Sequence, residues 1–182
     1  MPIPSGYTSG QVVQAVPTGI QSAVVLIETL SPSAAATAQF TTGSFSSTYK
    51  YYTVKYVLNT SFAFQLRSAG STITAANYTR AIAQNSTGNV YSGGYVTGET
   101  SARIMTTNGT PAAYEGSFDC FDPSVSKVQS FAPMNSLGQY SGATQGMQFG
   151  LYLYATAQVY DSLLFTASTG TLTGTIKLYG WL

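Results

Sequence analysis

Histidine is absent from this 182-residue chain, and cysteine occurs once, at Cys120. Without histidine there is no Ser-His-Asp or Cys-His nucleophile and no histidine-bearing zinc site. A single thiol builds neither a disulfide framework nor a thiolate metal site, and Cys120 reads as a small buried apolar residue. Charge is equally scarce. Lys and Arg number 7, Asp and Glu 6, together 7% of the residues, against roughly 25% in an ordinary soluble domain. A net charge of +1 supplies no basic stripe for nucleic acid. No apolar run approaches the roughly 18 residues of a membrane span, and the run at 23–27 is too short for the core of a secretion signal. Phosphate-cradling patterns such as GxxxxGK[ST] are missing, and no long segment carries a 3.6-residue period. The expectation is a protein made in a cytoplasm and incorporated into something larger, with no nucleic acid and no membrane among its partners.

Hydrophobic residues nevertheless make up 44% of the chain, enough for one sizeable core. The surface must then consist of Ser, Thr, Asn, Gln and Tyr. Few like charges keep copies apart, which suits life inside an assembly. Residues 1–21 hold Pro2, Pro4, Pro17, Gly6, Gly10 and Gly19. That composition makes a poor helix and a poor central strand. It reads as an extended arm, whose Tyr7, Val12 and Val13 are candidates for contact with a neighbouring subunit.

Beyond the arm the pattern is period two. Residues 23–29 form a continuous β-branched run. Residues 51–58 alternate, and 61–68 place Phe62, Phe64 and Leu66 on one face with Ala63, Gln65 and Arg67 on the other, as a half-buried antiparallel strand requires. Further strands are expected at 36–41, 78–83, 103–107, 114–121, 127–131, 145–155, 162–168 and 174–180. The strand at 145–155 puts Met147, Phe149, Leu151 and Leu153 opposite Gln148, Gly150, Tyr152 and Tyr154. Turn-forming residues make 84–100 a long surface loop or loose hairpin and 132–143 a loop. Asn108-Gly109 reads as a hairpin turn, and 169–173 as a connection of hairpin length. Short strands with regular turn signals predict a single all-β domain over 22–182, an antiparallel β-sandwich.

Candidate chemistry is thin. Glu115 and Asp119 lie four apart on one strand face, about 13 Å, beyond the roughly 5–9.5 Å between glycosidase carboxylates. Asp119 and Asp122 flank a loop and offer oxygens to calcium, but no EF-hand spacing accompanies them. Turn capping before Pro123 explains them better. Arg67, Arg80 and Arg103 are either solvated strand positions or, for Arg67 above all, a fork onto a neighbouring subunit. Aromatic residues reach 13%, with 14 tyrosines. Tyr91 and Tyr95, in the Gly-rich stretch, are candidates for surface or receptor contact, since tyrosine stacks on a sugar while its hydroxyl hydrogen-bonds. No catalytic, cofactor-binding or metal-binding residue is assigned, and no enzyme activity is expected.

Two segments carry a family resemblance. One is LIETLSPSAAATAQFTTGSFSSTYK at 26–50, running into the strand at 51–58. The other is YDSLLFTASTGTLTGTIKLYGW at 160–181. They resemble tailed-bacteriophage virion proteins with jelly-roll-like sandwich domains, found as small capsid or tail components and at tail-fibre ends. The resemblance implies a jelly-roll-like order with the last strand beside an early one. It also implies a virion station among other capsid or tail proteins, as a decoration (cement) or accessory tail protein, and a homo-oligomer such as a trimer. A host-surface glycan is the partner under the alternative of a fibre-tip module. Residues 84–100 and 132–143 match nothing in that group, and surface specificity would reside there. Gly180 reads as a turn that brings Trp181 to the rim.

Overall fold

The computed structural model describes residues 24–86, 90–104, 111–140 and 145–182. Side chains at 84–86, 90–92, 111–112, 133–140 and 145–147 lie outside that description. The expected arm, with Tyr7, Val12 and Val13, lies outside the described residues, as does Asn108-Gly109.

The described residues hold thirteen strands and no helix. They are β1 (Val24–Leu30), β2 (Thr37–Gln39), β3 (Tyr51–Leu58), β4 (Phe62–Ser68), β5 (Ser71–Thr72), β6 (Tyr78–Ser86), β7 (Val90–Glu99), β8 (Ala102–Ile104), β9 (Pro111–Phe121), β10 (Lys127–Tyr140), β11 (Gln145–Gln158), β12 (Ser162–Ala167) and β13 (Gly174–Trp181). They form two antiparallel sheets. The larger runs β1-β13-β3-β9-β10-β11-β6-β7; the smaller runs β2-β12-β4-β5, with β8 also on β4.

Within this lies a jelly roll. β1-β13-β3-β9 faces β2-β12-β4-β8, so the first strand neighbours the last and the second neighbours the second-last, as two Greek keys wound together require. β13 is hydrogen-bonded to β1 on one side and β3 on the other, as the chain ending implied. Two hairpins are inserted into the roll: β6–β7 between β5 and β8, and β10–β11 between β9 and β12. They pair with each other through β6 and β11 and extend the large sheet past β9.

The core between the sheets is aromatic. Phe64 on β4 stacks on Phe118 of β9 at 4.5 Å and meets Phe131 of β10 at 4.9 Å. Tyr56 packs edge-on against Phe62 at 4.8 Å. The expected inward face of β4, Phe62, Phe64 and Leu66, is fully buried. Cys120 is also buried, and the loss of solvent pushes its thiol well up.

Several local expectations need correction. Residues 132–140, read as loop, belong to β10. Residues 90–99 form a strand paired with β6, so of the two readings of 84–100 the hairpin holds and the loop does not. Turn-forming composition misleads there because β7 is an edge strand, paired on one side only. Residues 169–173 do not close a hairpin; they carry the chain from β12 in the small sheet to β13 in the large one. β8 and β9, either side of Asn108-Gly109, likewise sit in different sheets. Gly180 is not a turn. β13 runs through it to Trp181, and the glycine is needed because a Cβ would stand 2.6 Å from the Tyr49 ring and 2.8 Å from Ile27 Cδ1.

Candidate interaction surface

The outer face of the large sheet divides into two halves of different chemistry. On the inserted hairpins, strand register aligns Tyr95, Ala81 and Leu151 across β7, β6 and β11, and beside them Gly93, Ala83 and Phe149. Tyr95 is 73% exposed, Phe149 46% and Leu151 40%. None of these positions is charged. β11 thus turns its aliphatic side outward and its tyrosine side inward, where Tyr152 and Tyr154 are buried. The larger rings gain more by burial. Tyr154 meets Tyr78 at 4.6 Å and Tyr160 at 5.9 Å, and the Tyr152 hydroxyl donates to the Arg103 carbonyl. The outer edge of this half is β7, whose described pairing is with β6 alone. Its outward N–H and C=O groups are open to another strand.

Of the candidate contact residues, Tyr95 lies on this exposed face. The backbone of Tyr91 pairs with Asn85 on the same hairpin, and its side chain lies outside the described residues. Arg67 is placed otherwise than expected. It is only 8% exposed, neither solvated nor offered to a neighbour. Its guanidinium donates to Thr42 Oγ1 at 3.4 Å, to Ser162 Oγ at 3.3 Å and to the Gly70 carbonyl. The Nη1 and Nη2 donors that would fork onto another subunit are used inside the protomer, holding the 70-turn onto β12.

The other half, on β1, β13, β3 and β9, is polar and aromatic. Val24, Trp181, Tyr51 and Phe121 align across the four strands, with ring centres 5.4 Å apart for Tyr51–Trp181 and 4.9 Å for Tyr51–Phe121. One step along, Asp119 accepts from the Tyr51 hydroxyl and from Thr53 Oγ1 at 2.8 Å, and Trp181 Nε1 donates to Thr53 Oγ1 at 3.0 Å. Burial first, then the hydrogen bond to Asp119 and its charge, pushes the Tyr51 hydroxyl up to about 12. A further step brings Lys177 opposite Lys55. There the face dips into an open groove of about 790 Å³, lined among others by Thr29, Lys55, Val57, Glu115, Lys177 and Tyr179.

The carboxylates considered for catalysis or calcium are otherwise engaged. Asp119 is tied to Tyr51 and Thr53. Asp122 lies 3.8 Å from the Lys50 ammonium and 3.4 Å from that of Lys127. Glu115 stands exposed four residues from Asp119 on β9, with no second free carboxylate across a cleft. Among the described residues no group of three or more His, Cys, Asp or Glu could hold a metal ion. The groove was not foreseen, because its lysines are 122 positions apart (177 − 55) and only the β3–β13 register joins them. No family model, no curated protein and no solved structure matches the chain.

Proposed function

We propose that this chain is a non-enzymatic structural protein of a tailed-phage virion, a capsid decoration or accessory tail protein that works by subunit contact. The observation that carries the reading is the uncharged outer face of the inserted hairpins, where Tyr95, Leu151 and Phe149 stand exposed together beside an open strand edge. Grouped exposed apolar side chains on a sheet face mark an interaction site. The sparse charge of the whole chain leaves little repulsion between copies. The occupant is a further copy of this chain in a closed ring, since symmetric closure protects edges that a monomer leaves open. The jelly roll and the two sequence segments supply the virion part of the reading.

Analytical ultracentrifugation of the full chain tests the assembly step. A closed oligomer is expected, and Phe149→Ser with Leu151→Ser converts it to a folded monomer. A wild-type chain that stays monomeric at high concentration refutes the contact. Saturable attachment to phage particles purified without this protein tests the station, and absence of attachment to any virion refutes it.

A further inference from the structure

The second half of the sheet face carries an independent inference. Lys55 and Lys177 occupy directly opposed positions on β3 and β13, side by side on the outer face. Like charges so placed destabilise a strand pair, and this chain has only 7 cationic residues to place. No carboxylate among the described residues forms an ion pair with either lysine. The chain has 6 acidic residues, and five are engaged elsewhere. Glu28 accepts from Thr41 and Ser44, and Glu99 pairs with Arg80 at 3.3 Å. Asp119 serves Tyr51 and Thr53, and Asp122 serves Lys50 and Lys127. Asp161 accepts from the Gly70 N–H and Ser162 Oγ. The sixth, Glu115, lines the same groove yet forms no ion pair with either lysine.

We infer that this groove binds a carboxylate-bearing saccharide, with Lys55 and Lys177 gripping the acidic group. Five of the six carboxylates are engaged and the sixth, Glu115, lies inside the groove beside the lysines of its own protomer, so the anion is taken from another molecule. The lining favours a sugar over an acidic peptide. Thr29 and Thr175 offer hydroxyls, Glu115 offers an acceptor for sugar O–H groups, and Tyr179 offers a ring. Lys55 Nζ stands 5.6 Å from the centre of that ring, a cation–π contact that holds the ammonium over the groove. Along the same strands, about 13 Å away at four residues, the Trp181–Tyr51–Phe121 row continues the surface for a longer chain.

The probe is oligogalacturonate, titrated calorimetrically into the full chain, with an uncharged malto-oligomer and a poly-glutamate peptide in parallel. Binding of the uronate oligomer alone is expected, weakening as salt screens the lysines and falling at least tenfold in Lys55→Gln and in Lys177→Gln. Lys177→Arg, which keeps the charge, should retain binding and serves as the folded control. No binding by the wild type overturns the inference, as does undiminished binding by both glutamine variants. Poly-glutamate binding as tightly as the sugar overturns the saccharide assignment. Because the groove lies on β1, β13, β3 and β9, Phe149→Ser with Leu151→Ser leaves it intact, so its failure and that of the assembly reading are separable.

Discussion

Phe64→Ala puts the closure of the two sheets to a direct test. Phe64 belongs to the small sheet, yet three of its ring neighbours, Phe118, Phe131 and Tyr152, belong to the large one. Their ring centres lie 4.5, 4.9 and 6.3 Å away, and Phe165 of its own sheet lies at 6.4 Å. The side chain is fully buried. Truncating a buried phenylalanine costs about 3–5 kcal/mol through lost transfer energy and the cavity left behind. Each well-placed ring pair adds about 0.5–1.5 kcal/mol beyond area, and the two closest pairs push the sum to the upper end, about 5 kcal/mol. That is a third or more of the roughly 5–15 kcal/mol that holds a typical domain. Urea unfolding followed by tyrosine and tryptophan fluorescence should show a lowered midpoint with an unchanged slope. Phe64→Leu retains most of the volume and should lose about 1–2 kcal/mol. In a double-mutant cycle, Phe64→Leu and Phe118→Leu should couple by about 0.5–1.5 kcal/mol. A loss below about 1.5 kcal/mol for the alanine variant, well under the core-truncation range, together with zero coupling, would mean that the sheets do not close on this residue.

Three other perturbations probe separate features. The Leu66 N–H donates to the Tyr78 hydroxyl at 2.7 Å in a fully buried setting, so Tyr78→Phe should cost about 1–3 kcal/mol by stranding that donor; an unchanged urea midpoint would contradict it. Gly174 holds φ +139° with a would-be Cβ 2.1 Å from the Val57 carbonyl oxygen. Gly174→Ala should therefore cost about 3 kcal/mol or more, read as a fall in Tm. Burial raises the hydroxyls of Tyr52, Tyr78, Tyr152 and Tyr160, and Tyr51 to about 12. The folded state thus holds these protons more tightly than the unfolded chain, where tyrosine titrates near about 10. Their contribution is full below pH 10 and lost as pH rises through the folded values; a urea midpoint that stays level from pH 9 to 12 would refute the assignment.

The fold was legible wherever alternation was strict. In β4, large apolar residues at every second position (Phe62, Phe64, Leu66) fix one face and the structure buries it. Residues 26–58 and 160–181 contain β2, β3, β12, β13 and most of β1, strands of the roll proper, and their alternation was readable. The inserted hairpins were harder. β7 carries Gly93, Gly94 and Thr97, a composition that reads as loop because an edge strand needs little side-chain packing. For β11 the two faces were separable but their direction was not. Both are apolar enough to bury, and the choice fell to the tyrosines, whose partners Phe64 and Tyr78 lie on other strands and Tyr160 in the connection to β12. Arg67 failed for a related reason: on β4 its position is an outward one, and Thr42, the 70-turn and Ser162, distant in sequence or on other elements, cover it. The lysine pair was invisible because register between distant strands is a tertiary fact.

The architecture lets two surfaces act at once. A jelly roll needs only the eight strands that close it, and those strands present the aromatic row, the Asp119 network and the lysine groove. The hairpins β6–β7 and β10–β11 add four strands to one sheet while the other stays short. The added area carries the aliphatic face. An assembly contact on the hairpins buries Phe149 and Leu151 without covering Lys55 or Lys177, which lie on strands beyond β9 from the inserted half. A protein packed against its copies through one half, as proposed above, would still show the other to solvent, and the scarcity of charge elsewhere leaves that lysine pair as the local positive feature of its face.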